Sequence, residues 1–187
     1  DYPGVDVVDP DRLIARADVD LVVIASPNDT HRPLAEAALR AGHHVVVDKP
    51  FTLSLDEARA VVATADRRQR IVSVFQNRRW DSDYLGVKQV IDSGLIGEVA
   101  HFESHIDRFR PSPRDRWREN PGPGAGLWFD LGPHLTDQAL QLFGRPDTLQ
   151  LDTAALRERA QVEDYFHAVL RYESGEHAPL RVVLHAT

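Results

Sequence analysis

Leu21-Val22-Val23-Ile24-Ala25-Ser26-Pro27-Asn28-Asp29-Thr30-His31 opens with an unbroken apolar run of strand length and closes on turn-forming residues. A run without polar alternation predicts a strand buried on both faces, as in a parallel sheet. A helix is predicted next. Thr30 stands as its N-cap, Pro33 falls in the first turn, Leu34, Ala37, Ala38 and Ala41 recur at helical spacing, and Gly42 supplies the C′ stop. Val45-Val46-Val47 then reads as a second strand, ending at Asp48-Lys49-Pro50. Ser54-x-x-Glu57 has the form of a capping box, with Leu55, Ala58, Val61, Val62 and Ala65 apolar behind it. Ile71-Val72-Ser73-Val74-Phe75 is a third strand of the same kind. This β-α-β-α-β rhythm predicts an α/β fold with a parallel, doubly wound sheet. Ahead of it, Val5 to Val8 reads as a short strand-like piece.

Beyond Gln76-Asn77 the pattern changes. A helix is predicted from Asp81 to Ser93, closed by Gly94, and then an alternating strand from Val99 to Phe109. A connection rich in Pro and Gly spans Pro111 to Gly126. It leads into a helix over Leu131 to Phe143, ended by Gly144, and three further strands lie around Leu149, Val169 and Val183. Strands clustered after helices predict an α+β domain with a largely antiparallel open sheet. The expected domains are 1–77 and 78–187.

The 187 residues carry 22 basic and 29 acidic side chains, and 22 − 29 gives a formal charge of −7. A negative balance without a basic stripe excludes the phosphate-neutralising footprint of a nucleic-acid binder. Cys is absent, which excludes disulfides, thiolate metal sites and cysteine nucleophiles. No apolar run reaches the roughly 18 residues of a membrane span. The opening Asp1-Tyr2-Pro3-Gly4 has neither a basic n-region nor an apolar h-region, so a cytoplasmic location is expected. Met is absent too, and the chain opens and closes on strand-like residues, so it is expected to be a piece of a longer protein.

Ligands of open parallel sheets sit beyond the carboxyl ends of the strands, which directs attention to the loops after each apolar run. The chain has 20 Arg and only two Lys, and one of these, Lys49, ends a strand between Asp48 and Pro50. A partly desolvated ammonium there can move protons or polarise a substrate oxygen. A surface Lys paired with Asp48 is the other reading. In the first loop, Asn28 and Thr30 offer short polar groups for a ribose or amide edge, although turn and cap chemistry would use the same residues. His31 reads by itself as a polar helix-start residue.

Gly124-Ala125-Gly126-Leu127-Trp128-Phe129-Asp130-Leu131-Gly132-Pro133-His134-Leu135-Thr136-Asp137 carries the strongest local signal. Asp130 and His134, four apart, share a helix face, with Gln138 and Gln141 extending a polar stripe while Phe129, Leu140 and Phe143 pack elsewhere. Pro133 is best tolerated in a first turn, which would place the pair at the helix N-terminus. An N-cap Asp beside a surface His competes with this reading. Asp130, His134 and Asp137 could also ligate a metal, but no His-x-x-x-His or His-Glu-x-x-His spacing occurs in this segment. No Gly-x-Ser-x-Gly elbow is present for a serine nucleophile. Trp117-Arg118 could cover a cofactor ring or bind a phosphate, or belong to a solvated Arg and Glu network with one anchoring Trp.

Taken together, these segments resemble the nicotinamide-dependent oxidoreductases named for glucose-fructose oxidoreductase, inositol dehydrogenase and MocA (Gfo/Idh/MocA), along essentially the whole chain. Ile24 to His31 resembles the family's second cofactor loop, Asp48-Lys49-Pro50 its Glu-Lys-Pro signature with Asp replacing Glu, and Asp130-Leu131-Gly132-Pro133-His134 its Asp-x-Gly-x-His signature. Phe75 to Asp83, Phe102-Glu103-Ser104-His105 and Arg108-Phe109-Arg110-Pro111 are similar to the branch of NADP-dependent scyllo-inositol dehydrogenases.

The resemblance implies part of a Rossmann-type domain followed by an α+β domain, and hydride transfer between a secondary alcohol of a polyol or sugar and C4 of nicotinamide. It implies that His134 takes the hydroxyl proton, Lys49 polarises the oxygen and Asp130 holds the substrate and tunes the pair. NADP, or NAD, would be lined by Ser26, Pro27, Asn28, His31, Asp48, Pro50, Gln76, Trp117 and Arg118. A homodimer or homotetramer is implied, with no nucleic-acid or membrane partner. The family's Gly-rich pyrophosphate turn is nowhere in the sequence and is expected ahead of Asp1, so the 187 residues alone are expected to be inactive. A nucleotide-binding or interaction protein of the same fold, without catalysis, is the alternative. The joint presence of Lys49, Asp130 and His134 counts against it.

Overall fold

Three valine-rich segments of a computed structural model form a parallel sheet, with β1 (Leu21–Ile24), β2 (His44–Asp48) and β3 (Val72–Phe75) in that order. Residues 3–187 are described, so Asp1 and Tyr2, on which the reading of the chain's opening partly rests, lie outside the described residues. Contacts divide the chain between Phe75 and Gln76 into two units.

In the first unit a short helix α1 (Pro10–Ile14) is capped by Asp9, whose Oδ1 accepts the Arg12 N–H at 2.9 Å. Helix α2 (His31–Ala41) follows a 3₁₀ turn over Asn28–Thr30, and Gly42 ends it at φ 103°, where a side chain would be strained. Thr30 occupies the N-cap position without capping. Its hydroxyl donates to the Pro27 carbonyl at 2.7 Å instead. The buried face of α2 is Ala35, Ala38 and Leu39, whereas Ala41 is exposed. Helix α3 (Leu55–Arg68) begins at Ser54, whose Oγ accepts the Glu57 N–H at 3.2 Å. The Glu57 carboxylate reaches back one residue beyond the expected cap, to the Leu53 N–H at 3.0 Å.

Two expectations fail in this unit. Val5 to Val8 form no strand, because no ladder among the described residues includes them. The strands of the sheet are buried on one face rather than both. Val22, Ile24, Val45 and Val47 share a core with Ala38, Leu39, Val61 and Ala65, so both helices cover the same side. Leu21, Val23, Ile71 and Phe75 point to the other side and are exposed.

The second unit contains α4 (Ser82–Asp92), β4 (His101–Ile106), α5 (Leu127–Phe143), β5 (Thr148–Ala154), β6 (Tyr165–Tyr172) and β7 (Leu180–Ala186). Its sheet has the order β4-β7-β6-β5, with the β6 pairings antiparallel and β4–β7 parallel. Alternation places Phe166, Ala168, Leu170, Leu180, Val182 and Leu184 against Leu131, Leu135, Ala139 and Phe143 of α5. The opposite face carries His167, Val169 and Arg171 on β6. β4 stops at Ile106 rather than Phe109, because Ile106 is level with Ala186, the last residue of β7.

Helix α5 starts at Leu127, four residues before the expected start, behind Gly126 at φ 96°. Pro133 therefore lies inside the helix rather than in its first turn. Its missing N–H leaves the Phe129 carbonyl without the usual i→i−4 donor. Leu140, expected to pack, is exposed, and the chain of buried positions runs instead through Leu131, Leu135, Ala139 and Phe143.

Candidate active site

The first unit presents two loops at the carboxyl end of its sheet, and His31 ties them together. This ring is 1% exposed, with Nδ1 2.7 Å from the Pro50 carbonyl and Nε2 3.0 Å from the Ser26 carbonyl. One side chain thus clasps the turn after β1 to the turn after β2. Ser26 Oγ and Thr30 Oγ1 are 2.5 Å apart. Because the Thr30 hydroxyl gives its single proton to Pro27, Ser26 is the donor in that contact. Asn28 is buried beneath the same turn. Asp48 turns one oxygen onto the Lys49 backbone N–H at 2.8 Å, Lys49 is half-buried, and the Lys49–Pro50 peptide is cis.

Gln76 follows β3 directly, and the register pairs Phe75 with Asp48. Its Oε1 is buried and has no hydrogen-bond partner among the described residues. An amide oxygen left in this state is an acceptor awaiting a donor.

In the second unit α5 places Asp130 in its first turn and His134 one turn later. Gly126, not Asp130, is the N-cap, and His134 is only 6% exposed. The reading as an N-cap Asp beside a surface His is therefore overturned. Arg118 Nε lies 3.4 Å from Asp130 Oδ1, and the same guanidinium sits 4.3 Å from the Trp117 ring centre. Gly132, between the two signature residues, is where the Trp128 indole lies across the helix. A Cβ added there would stand 2.7 Å from Trp128 Cε3. Trp128 in turn meets Phe166 edge to face at 5.1 Å.

Asp137 is held by Arg79, with Nε–Oδ2 at 2.7 Å and Nη2–Oδ1 at 2.5 Å, which removes it from the suggested ligand trio. Among the described residues no group of three or more His, Cys, Asp or Glu is arranged to hold a metal ion.

Arg116 and Glu119 belong to a network that is buried rather than solvated. Glu119 accepts from Arg116 Nε at 2.6 Å, the Arg114 N–H at 3.0 Å and Arg157 Nη2 at 3.1 Å, and Arg157 Nε reaches Asp164 at 2.7 Å. Burial pushes the Glu119 carboxyl up, but the Arg114 N–H and the two guanidinium groups outweigh it and hold it below its ordinary range. For Asp164, burial is likewise outweighed, by the Leu156 and Arg157 N–H groups and the Arg157 side chain. Carboxyls depressed in the folded state contribute stability above their unfolded pKa of about 4 and lose it as pH falls through the folded values. Glu119→Gln is accordingly expected to cost about 2–3 kcal/mol at neutral pH, because it takes the carboxylate from Arg116 and leaves Arg157 with Asp164 alone. The penalty should shrink below about pH 4. Denaturant titrations of both proteins across that range check this, and a penalty independent of pH would contradict it.

A cavity of about 490 Å³ opens beside this network and is lined by Arg108, Phe109, Arg110, Arg118, Leu127 and Asp130 among others. Arg118 and Asp130 are thus brought together, whereas Trp117 is not among the lining residues. Arg108 and Arg110 entered the sequence reading only as part of a resemblance, without a role. The alternation of Arg108-Phe109-Arg110 continuing out of β4 is the signal that could have placed them.

Comparison with known proteins agrees with both units. The description "Oxidoreductase family, NAD-binding Rossmann fold" matches residues 2–76, and "GFO/IDH/MocA C-terminal domain" matches residues 84–187. Uncharacterized oxidoreductase YdgJ of Escherichia coli is 56% identical over 188 residues, covering all of this chain and 53% of the relative. The scyllo-inositol 2-dehydrogenase (NADP(+)) IolW of Bacillus subtilis is 36% identical over 173 residues, covering 92% of this chain and 48% of the relative. The crystal structure of an NAD-binding protein from Listeria innocua superposes with a TM-score of 0.87 at 33% identity, covering 95% of this chain and 50% of that one. The chain spans about half the length of the curated relatives it matches. With both halves matched in order and the Asp-Lys-Pro and Asp-x-Gly-x-His segments on the elements just described, this chain belongs to the Gfo/Idh/MocA family of oxidoreductases.

Proposed function

We propose that the intact protein is an NAD(P)-dependent dehydrogenase that moves a hydride between a secondary alcohol of an inositol-like polyol or sugar and nicotinamide. In this reading it works in the cytoplasm as a homodimer or homotetramer. The observation that carries it is His134, buried on α5 one turn after an Asp130 held by Arg118. The activities of IolW, a scyllo-inositol 2-dehydrogenase, and of an inositol 2-dehydrogenase from Rhizobium meliloti, 32% identical over 180 residues, support the substrate class.

The residues present fit the dinucleotide. The buried Oε1 of Gln76, which has no hydrogen-bond partner among the described residues, suits a carboxamide N–H, and Ser26, Pro27, Asn28, Asp48 and Pro50 belong to the loop ends where an open parallel sheet takes its ligand. Trp117 and Arg118 would add a ring face and a cation. His31 acts through the two loops it clasps. When bound, the nicotinamide supplies a hydride acceptor at its C4 carbon.

The chain's own residues then handle the proton. Loss of hydride from an alcohol carbon requires the hydroxyl proton to leave as well, giving a ketone. A ring nitrogen of His134 takes that proton, Asp130 orients the ring and a neighbouring hydroxyl, and the Lys49 ammonium donates to the substrate oxygen so that no isolated alkoxide forms. The test is a panel of inositols, aldoses and their acid derivatives with NADP and NAD, followed by nicotinamide absorbance. Turnover on at least one member, reduced more than about 100-fold by Lys49→Ala, is expected. Cofactor binding without turnover across the panel would favour a nucleotide-binding protein without catalysis.

A further inference from the structure

The cavity of the second unit contains five arginines and five carboxylates, yet its charges are unevenly matched. Glu119 and Asp164 are engaged by Arg116 and Arg157, and Asp130 by Arg118. Asp107 faces the outer surface of the sheet, 3.4 Å from His185 Nε2 and 3.9 Å from His105 Nδ1. The Glu163 carboxylate occupies the space beside Gly126 at the start of α5, where the helix dipole favours it. Arg108 and Arg110 remain, with no carboxylate partner among the described residues.

Around Arg110, burial and the like charges of Arg108, Arg114 and Arg116 hold the guanidinium below its ordinary pKa, outweighing the opposing charge of Glu119. Positive charge there is crowded rather than balanced. Phe109 is 95% exposed on the rim and Leu127 forms an apolar wall, surfaces suited to the C–H face of a sugar ring. Guanidinium forks match carboxylate and phosphate oxygens in paired geometry.

We infer that this cavity takes a polyhydroxy ligand bearing an oxyanion, a sugar acid or a sugar phosphate, with Arg108 and Arg110 holding the oxyanion and Asp130 a hydroxyl. As a statement about substrate, this rests on the hydride-transfer reading, since Asp130 belongs to both. A neutral polyol would leave the two guanidinium groups as they are; an anionic one relieves their repulsion.

Calorimetric titration of the intact protein at low ionic strength with D-glucuronate, D-glucose 6-phosphate and D-glucose tests this. At least one charged probe should bind tenfold or more tighter than D-glucose, and added salt should erode the difference. Tightening by glucuronate alone assigns the site to carboxylates, and by the phosphate alone to phosphates. Arg108→Gln and Arg110→Gln, each checked for folding by circular dichroism, should cut the charged-over-neutral preference severalfold, with Arg110→Lys retaining part of it. Equal binding of all three probes, binding of none, or a preference unchanged in both Gln variants overturns the inference. Nicotinamide reduction is read separately. Turnover of neutral inositols without charge preference overturns the oxyanion inference and leaves the dehydrogenase standing, whereas charge-selective binding without turnover on any substrate does the reverse.

Discussion

On the proposed hydride-transfer reading, His134→Ala in the intact protein is expected to lower kcat/KM by roughly 10²–10⁴-fold, the range over which a positioned general base acts. The ring is 6% exposed on a helix whose neighbouring residues form the core. Asp130 lies one turn away on the same helix and is itself held by Arg118. Removing the ring also opens a void, so the rate must be separated from the fold. His134→Asn, closer in volume, should lose a similar factor, and thermal unfolding should show both variants folded at the assay temperature. Added imidazole should restore part of the rate in the Ala variant by entering the vacated space. Rates within threefold of the parent, with both variants folded, would remove His134 from the proton-transfer role.

Gly132→Ala carries the second large effect. The new methyl carbon would stand 2.7 Å from Trp128 Cε3 and 2.9 Å from Cδ2, closer than carbon atoms tolerate. Trp128 cannot simply swing away, because it packs edge to face on Phe166, a fully buried residue of β6. The clash is expected to cost about 2–3 kcal/mol, within the range for overpacked cores. Since Asp130 and His134 flank the glycine, a displaced helix turn should also lower turnover at least tenfold, as small misplacements of reacting groups do. Trp128→Leu in the Gly132→Ala background should recover much of the loss, giving a clear coupling term in a double-mutant cycle. Strict additivity of the two changes would show that the glycine serves some other purpose. The middle residue of the Asp-x-Gly-x-His segment thus has a packing reason that its neighbours' chemistry does not supply.

Much of the first unit was legible because its signals are local. β-Branched runs ended by Ser26-Pro27-Asn28 and Asp48-Lys49-Pro50 can hardly be anything but strands with loops at their carboxyl ends, and Ser54 with Glu57 marks a helix start within four residues. Local runs likewise mark β6 and β7, in which every second residue is buried. The start of α5 was less accessible. Pro133 argued for a first turn, but the left-handed Gly126 lets the helix begin earlier and the interior accommodates the proline.

By itself, then, the sequence determined the order of strands and helices from β1 to β7 and the positions of Lys49, Asp130 and His134 within their signatures. Only the tertiary structure decided which faces are covered and which charges are matched. Both helices of the first unit lie on one side of its sheet, so the apolar Val23 and Phe75 are exposed although their composition suggests burial. Arg79 finds Asp137 across 58 residues and Arg157 finds Glu119 across 38, while the guanidinium groups of Arg108 and Arg110 meet no carboxylate among the described residues. The physical reason is range: backbone propensity and hydrophobic period act over a few residues, whereas burial and ion pairing depend on chain segments that only the fold brings together.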